Sequence, residues 1–174
     1  LASKYGAPYF LNLSAPYMPD AVQSQCCRYF LIPDSKQMKQ INEGKLRFGS
    51  LQTVTANLPR CGYESKGNEK LMYELIDDKF EVAKTVFDAK RDTIRKYLLN
   101  GGAPFLTQEF EGEPYFDLDT STNSFGFVGL NELVQSMTGK QLHEDKDALR
   151  FGLKIINYMK DKTLRMEKQT GKRW

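Results

Sequence analysis

The longest regular pattern in the sequence is an amphipathic segment that runs from Asn68 to Asn100. Its apolar residues recur at intervals of three and four, which is the spacing of one face of an α-helix. Asn68-Glu69 marks the start, and Gly101-Gly102 supplies the left-handed backbone that ends many helices. We therefore predict a long helix whose apolar stripe packs on a core and holds no cofactor. The stripe consists of Met72, Leu75, Ile76, Val82, Ala83, Val86, Phe87, Ile94, Tyr97 and Leu98.

Further strands and helices alternate along the chain. Strands are predicted over 51–57 and 124–128, a helix over 130–137, and a last long helix over about 145–169. Strands that alternate with long helices are typical of an α/β sheet or barrel, in which catalytic groups lie on the connecting loops. The last helix is expected to bury Leu149, Leu153, Ile156, Met159, Thr163 and Met166.

Composition describes one soluble domain. Its net charge of +3, with 27% of the residues charged, is too small and too mixed in sign to indicate nucleic acid or a membrane surface. No apolar run approaches the ~18 residues of a membrane span. Three cysteines do not make a disulfide framework, so a reducing cytoplasm is expected. The single His143 argues against a histidine-rich metal site, and Cys61 is assigned no role.

Two adjacent cysteines precede an arginine in the run Cys26-Cys27-Arg28. Neighbouring Cα atoms lie about 3.8 Å apart, below the usual span of a disulfide, and the spacing does not suit a zinc clip. Two interpretations stay open: a pair of small buried side chains, or a reactive thiol presented at a loop tip. Short extended runs at 8–13 and 28–32 flank a loop of about 14 residues, with the cysteines at its far end. Residues 34–47 form a polar surface excursion with one helical turn.

Four segments of the sequence resemble, in their order, the anaerobic (class III) ribonucleotide reductase family of glycyl radical enzymes. The resemblance implies an α/β fold that is part of a ten-stranded α/β barrel, with a finger loop and long outer helices. Residues 1–174 would be a partial catalytic barrel domain, with the finger loop at about 14–27. The Cys-Cys-Arg and Thr-Ala-Asn-Leu-Pro-Arg runs together are its most specific part. The four segments are YGAPYF at 5–10, QCCR at 25–28, GSLQTVTANLPR at 49–60 and FGFVGLNE at 125–132.

The resemblance also implies roles for individual residues. Members of the family reduce ribonucleotides with a thiyl radical that removes the 3′ hydrogen of the ribose. The match to the family's finger-loop motif implies that Cys27 carries this radical and that Cys26 is a neighbour that packs beside it or tunes it. Asn57 would help to hold the substrate or the small-molecule reductant, or close a turn before a proline. Arg28 would offer a bidentate fork to a phosphate or carboxylate, or form a surface ion pair. Glu132 would transfer a proton near the ribose, or stabilise a helix dipole.

Several parts of that family have no counterpart in the sequence, namely the glycyl radical loop, the four-cysteine zinc site and the amino-terminal cone. We therefore expect an internal fragment that holds no cofactor and is inactive alone. Its parent would carry a glycyl radical, installed by an iron–sulfur, S-adenosylmethionine-dependent activating enzyme, and a zinc site outside this segment. The other expected partners are a ribonucleoside triphosphate substrate, formate or a dithiol protein as reductant, and a second copy in a homodimer, with 69–100 as a contact. No membrane or nucleic-acid partner is expected.

Two alternatives to the reductase are left open. Another glycyl radical enzyme, of pyruvate formate-lyase type, also uses adjacent cysteines on its finger loop; acyl transfer to coenzyme A, rather than nucleotide binding, would reveal it. The second alternative is a non-enzymatic α/β interaction module whose cysteine pair is plain core. Arg28 and the Thr-Ala-Asn-Leu-Pro-Arg run favour the reductase.

Overall fold

The computed structural model describes residues 2–5, 10–18, 22–24, 30–44, 49–110 and 112–174. The chain divides into two compact units, residues 1–48 and residues 49–174. Within the described ranges, no helix combines the length and the apolar character that crossing a membrane requires.

In the part of the first unit that the structure describes, there are a small antiparallel strand pair and two helices. In the pair, Ser24 lies opposite Phe30, so the strand predicted at 28–32 is confirmed where it is described. The extended run predicted at 8–13 is wrong over its described part, because residues 10–12 are irregular and residues 13–18 form turns and bends. The elements are α1 (Ala2–Tyr5), β1 (Gln23–Ser24), β2 (Phe30–Leu31) and α2 (Ser35–Asn42).

Helix α2 is longer than the single turn predicted for this polar segment. Its first turn is closed by a capping box, a reciprocal pair of hydrogen bonds between Asp34 and Gln37. The Asp34 carboxylate accepts from the Gln37 amide at 2.8 Å, and the Gln37 side-chain oxygen accepts from the Asp34 amide at 3.1 Å. Such a box satisfies two amide donors that would otherwise lack partners, which explains why the eight-residue helix begins after Asp34.

The second unit is a mixed α/β structure built on two parallel strands. Val54 lies opposite Phe125, and Asn57 lies opposite Val128, so the two strands end together. The α/β class is therefore confirmed at the level of a small parallel sheet. The elements are β3 (Ser50–Asn57), α3 (Leu58–Ser65), α4 (Glu69–Leu99), α5 (Pro104–Thr107), β4 (Glu109–Phe110), β5 (Glu113–Pro114), β6 (Thr122–Val128), α6 (Leu130–Thr138) and α7 (Lys146–Thr170).

Each parallel strand is followed by a short helix and then a long one, so β3–α3–α4 and β6–α6–α7 are two copies of one arrangement. The long helices α4 and α7 run side by side in the same direction, because three lysines of α7 and of the residues just after it pair, in order, with three acidic residues along α4. These pairs are Glu69–Lys154, Asp77–Lys162 and Asp88–Lys172, at 2.5, 3.1 and 2.5 Å.

The predicted ends of α4 are confirmed. The Asn68 side chain accepts a hydrogen bond from the Leu71 amide at 3.1 Å and caps the amino terminus. At the other end, the Gly102 amide donates to the Tyr97 carbonyl at 2.9 Å, and the amide of Gly101, whose φ is +78°, donates to the Leu98 carbonyl at 3.1 Å. These bonds form a Schellman motif, which satisfies the last carbonyl groups of the helix.

The core of the second unit lies between the helices and one face of the strand pair. The Phe80 ring stacks on Phe125 at 3.9 Å between centroids, which joins α4 to β6. The predicted stripe of α4 is wrong at Val82, Val86 and Tyr97, which are 60, 37 and 60% exposed. The fully or nearly fully buried core residues include Ala56, Leu58, Cys61, Met72, Ile76, Phe80, Leu133, Val134, Ala148, Ile155, Met159 and Met166.

Two other predictions about helices are wrong. Helix α3 was not predicted, because Leu58-Pro59 reads as the end of a strand although proline also suits the first turn of a helix. In the first half of α7 the stripe was placed one residue too far along: Leu149 and Leu153 are exposed, while Ala148 and Gly152 are buried. Further along the helix, Met159 and Met166 are buried as predicted.

Candidate functional site

The carboxyl ends of β3 and β6 meet at one edge of the parallel pair. Asn57 is the last residue of β3 and lies opposite Val128, the last residue of β6. Each strand passes directly into a helix, α3 after Asn57 and α6 after Gly129. Ligands of open α/β sheets bind outside the carboxyl ends of the strands, so this edge is the candidate site.

Asn57 caps helix α3. Its side-chain oxygen accepts a hydrogen bond from the Arg60 amide at 3.3 Å, and Pro59 occupies the first turn, where no amide donor is needed. The side chain is exposed, and its NH₂ group has no hydrogen-bond partner in the part of the chain that the structure describes. The oxygen of Asn57 therefore closes the turn, while the NH₂ group is available to a ligand.

Gly129 brings the starts of α3 and α6 together. Its φ of +73° lies in the left-handed region, which favours glycine. A Cβ atom at this position would also collide with the ring of Pro59. Glycine is thus required both by the backbone conformation and by the close approach of the two helix starts.

Glu132 lies in the first turn of α6, on the same edge as Asn57, and its side chain is exposed. Its Oε2 atom lies 3.4 Å from the position that a Cβ of Gly129 would occupy, so the carboxylate folds back towards the start of the helix. Helix α6 has no side-chain cap, and a carboxylate in this place stabilises the positive end of its dipole. This agrees with the dipole interpretation of Glu132, whereas proton transfer stays a prediction.

One face of the strand pair is exposed and polar along β3, whereas on β6 the same face carries the buried Ser124 and the exposed apolar Val128. Thr53, Thr55 and Asn57 alternate along β3 and are exposed, whereas Gln52 on the opposite face is buried. On β6, Gly126 lies opposite Thr55, and a Cβ there would stand 3.3 Å from the Thr55 hydroxyl oxygen. This face therefore presents hydroxyl groups that lead along β3 towards Asn57.

Two buried amide side chains pair near the amino-terminal end of the strands. The Gln52 Nε2 atom donates to Asn123 Oδ1 at 2.8 Å and to the Phe87 carbonyl at 3.0 Å. Both side chains are at least nine-tenths buried. Because a shift of one residue would move these amides to the other face, the pair fixes the register of β3 against β6. The sequence reasoning did not identify either residue.

A buried arginine anchors the turn that leads into β6. Arg91 donates from Nη1 to the Leu118 carbonyl and from Nη2 to the Ser121 carbonyl, the second at 3.0 Å. Its side chain is 3% exposed, and burial lowers its pKa, an effect that the nearby Asp119 opposes. The sequence reasoning missed Arg91 as well, although its place four residues after Phe87, on the core side of α4, was a usable signal.

Cys61 packs below Asn57 in the core. Its thiol is fully buried and lies 3.8 Å from the Asn57 carbonyl oxygen, and burial raises its pKa. A buried thiol of this kind is a small apolar side chain, not a nucleophile.

The remaining predicted site residues, Cys27 and Arg28, lie outside the described residues, as does Cys26. The strands that flank them in sequence, β1 and β2, pair in antiparallel fashion. The structure thus brings Asn57 and Glu132 to one edge, and the roles of the cysteines and of Arg28 stay predictions.

Two other features lie apart from this edge. Among the described residues, no group of three or more His, Cys, Asp or Glu side chains is arranged to hold a metal ion. A shallow cavity of about 440 Å³ lies where the α3–α4 turn meets the end of α6 and the start of α7, and Gly67, Met137 and Phe151 are among its lining residues. Neither Asn57 nor Glu132 lines it.

Comparison with known proteins gives consistent matches. A family model described as anaerobic ribonucleoside-triphosphate reductase matches residues 1–174. The anaerobic ribonucleoside-triphosphate reductase of Escherichia coli (strain K12) is 23% identical over 156 residues, which are 83% of this chain and 22% of the relative. The protein of that name from Salmonella typhimurium (strain LT2) matches with the same identity and coverage. The chain thus spans about a fifth of the length of these curated relatives.

Proposed function

The chain belongs to the anaerobic ribonucleoside-triphosphate reductase family, and from this premise we propose that the protein containing it reduces ribonucleoside triphosphates to deoxyribonucleotides in the absence of oxygen. The observation that carries the proposal is the shared edge of β3 and β6, where Asn57 and Glu132 stand beside the exposed polar side of β3. Family membership also favours the reductase over an enzyme of pyruvate formate-lyase type and over an interaction module.

We propose that β3 and β6 are neighbouring strands of a ten-stranded α/β barrel. Three features of the second unit support this: the strands are parallel, the strand–helix–helix arrangement occurs twice, and the outer face of β3 is exposed at Thr53, Thr55 and Asn57. This face would then line the barrel interior, and the long helices would lie outside it. Residues 1–174 would form part of this catalytic domain, with the finger loop at about 14–27.

In the proposed reaction, Cys27 carries a thiyl radical that takes the hydrogen atom from C3′ of the ribose. An S–H bond forms as the C3′–H bond breaks, and the radical moves to the sugar. The 2′-hydroxyl group can then leave as water once it is protonated, and Glu132 would supply that proton. Formate or a dithiol protein supplies two electrons and the proton with which a new C2′–H bond forms, after which Cys27 returns its hydrogen atom to C3′. The Asn57 NH₂ group would hold the substrate or the reductant, and Arg28 would bind a phosphate.

The cofactors and partners of this reaction are also part of the proposal. The protein would store its radical on a glycine outside residues 1–174, where an iron–sulfur, S-adenosylmethionine-dependent enzyme installs it. The zinc site would likewise lie outside this segment, and the protein would act as a cytoplasmic homodimer.

The first experiment supplies the activated full-length protein with a ribonucleoside triphosphate under strict anaerobic conditions. The proposal predicts a deoxyribonucleotide product that depends on the reductant. Formation of acetyl-coenzyme A from pyruvate and coenzyme A, without nucleotide reduction, would contradict it.

Asn57 can be tested separately from its role as a cap. Asn57→Asp retains an oxygen that can cap α3 but removes the NH₂ donor, so we expect a similar thermal stability and at least a tenfold fall in kcat/KM. Asn68→Asp is the matched control, because Asn68 caps α4 in the same way. Equal activity of the two variants would argue against a ligand role for Asn57.

A further inference from the structure

The loop between α6 and α7, residues 139–145, folds back onto the first turn of α6. Asn131, the second residue of that helix, holds the loop there with both polar atoms of its side chain. Its Oδ1 atom accepts a hydrogen bond from the Leu142 amide at 3.0 Å, and its Nδ2 atom donates to Gln141 Oε1 at 3.1 Å. The helix extends roughly 10 Å beyond Asn131, so the loop returns over most of its length. Asn131 belongs to the run at 125–132, yet it has no task in the proposed reaction.

The loop is itself fixed to α7 at two points. The Leu142 side chain packs beside Gly152, where a Cβ atom would lie only 2.5 Å from it. Asp145, the last residue of the loop, caps α7 by accepting hydrogen bonds from two amides of its first turn, at 2.8 and 2.9 Å. Asn131 therefore joins the first turn of α6 to a loop that α7 already holds in place.

Such a clamp bears on Glu132, the next residue of the helix. No described side chain caps the amino terminus of α6, so other contacts must fix its first turn. Successive residues of a helix lie about 100° apart around its axis. Asn131 accordingly faces the loop and is half-buried, while Glu132 is exposed at the edge of β3 and β6. A turn that frayed or rotated would move the Glu132 carboxylate away from that edge.

We propose that Asn131 is a positioning residue, which clamps the α6–α7 loop to the first turn of α6 and so holds the Glu132 carboxylate at the edge beside Asn57. Asparagine suits this position because the clamp needs an acceptor and a donor on one short side chain. The inference rests on the proposed function for the task of Glu132, the transfer of a proton. The clamp itself consists of contacts between described residues, so it can be tested without turnover.

Four variants separate the clamp from general loosening of the loop. Asn131→Ala removes both hydrogen bonds, and Gln141→Ala removes one of them. Asn131→Asp is the conservative variant, because it keeps the oxygen that accepts from the Leu142 amide, and the Gln141 side chain can turn its amide and donate to the second oxygen. The control is Thr138→Val, which breaks the hydrogen bond from the Lys140 amide to the Thr138 hydroxyl, at 3.2 Å, near the other end of α6.

Hydrogen exchange of the full-length protein, resolved to single residues by mass spectrometry, provides the first test. The Leu133 amide makes the first hydrogen bond within α6, at 2.9 Å, and reports on the turn that carries Glu132. Asn131→Ala should speed its exchange at least tenfold, and Gln141→Ala should speed it less. Asn131→Asp and Thr138→Val should leave it within threefold of wild type. Thermal unfolding checks that each variant is folded, and unchanged exchange in both folded alanine variants would overturn the proposal.

Turnover of the activated full-length protein under anaerobic conditions provides the second test. Asn131→Ala is expected to lower kcat at least tenfold and to change the KM for the nucleotide by less than threefold, while Asn131→Asp keeps kcat within threefold of wild type. In a Glu132→Gln background, Asn131→Ala should cause no further fall, because it acts through the carboxylate that is already missing. A full additional fall in that background would overturn the proposal. A wild-type protein that reduces no nucleotide would contradict the proposed function, and the exchange of the Leu133 amide would still decide whether Asn131 holds the turn.

Discussion

Replacement of Gly129 by alanine tests how the candidate site is assembled. At φ +73° an alanine costs about 1–2 kcal/mol in backbone energy. Its Cβ would also meet the Pro59 ring, and relief of such overpacking typically costs about 1–3 kcal/mol more. We therefore expect Gly129→Ala to lower the free energy of unfolding by about 2–5 kcal/mol, measured by urea denaturation with far-UV circular dichroism.

Gly139 offers a matched control for this prediction. It has nearly the same φ, +74°, but no heavy atom lies within 4 Å of its Cβ position. Gly139→Ala should therefore lower the free energy of unfolding only by the backbone contribution, about 1–2 kcal/mol. Addition of Pro59→Ala to Gly129→Ala should recover part of the difference, because it removes the ring atoms that collide. Equal losses in the two glycine variants would refute the argument that Pro59 and Gly129 hold the helix starts together.

Two further predictions concern the helices behind the site. Arg91→Met leaves two buried carbonyl groups without donors, so we expect the free energy of unfolding in urea to fall by about 2–5 kcal/mol. Arg95→Met removes only an exposed ion pair and should lower it by less than ~1 kcal/mol. Similar losses in the two variants would contradict the anchoring role of Arg91. Burial and a hydrogen bond to Asp77 raise the pKa of Tyr158 to about 12, above the ordinary value of about 10. Between pH 10 and 12 the folded protein therefore holds a proton that the unfolded chain has lost, so stability should fall as the pH rises through this window. Tyr158→Phe should weaken the dependence of stability on pH in this window. An unchanged slope of stability against pH would contradict the pKa assigned to Tyr158.

Local signals account for the elements that could be predicted from the sequence. Helix α4 has an asparagine cap, a helical stripe and two closing glycines, and each of these signals acts within a few residues. Helix α3 was missed because Pro59 was read only as the end of a strand, although Asn57 and Pro59 together form a good helix start.

Predictions that depended on tertiary packing were less successful. In α7, the small residues Ala148 and Gly152 face the core. A Cβ atom at Gly152 would lie only 2.5 Å from the Leu142 side chain, so the close packing there requires the helix face with the smaller side chains. Leu149 and Leu153 were left outside, against the expectation from hydrophobicity alone. Likewise, the burial of Arg91 depends on carbonyl groups 27 and 30 residues away, which no local pattern reveals.

The candidate site was predictable in part. Asn57 and Glu132 were selected through a family resemblance. The parallel register that brings them to one edge arises from pairing between residues 71 positions apart in sequence, such as Gln52 and Asn123. No local pattern in the sequence specifies that pairing, since it depends on how the elements that separate the two strands in sequence pack against them.

The most direct test of the account is the turnover of the activated full-length protein with Cys27→Ser, measured as deoxyribonucleotide formed under anaerobic conditions. Cys26→Ser is the matched control, because it makes the same change at the neighbouring position. We predict that the Cys27 variant folds, binds nucleotide and forms no product above background, while the Cys26 variant keeps measurable turnover. Undiminished turnover of a folded Cys27→Ser protein would contradict the assignment of the radical to Cys27 and, with it, the proposed mechanism.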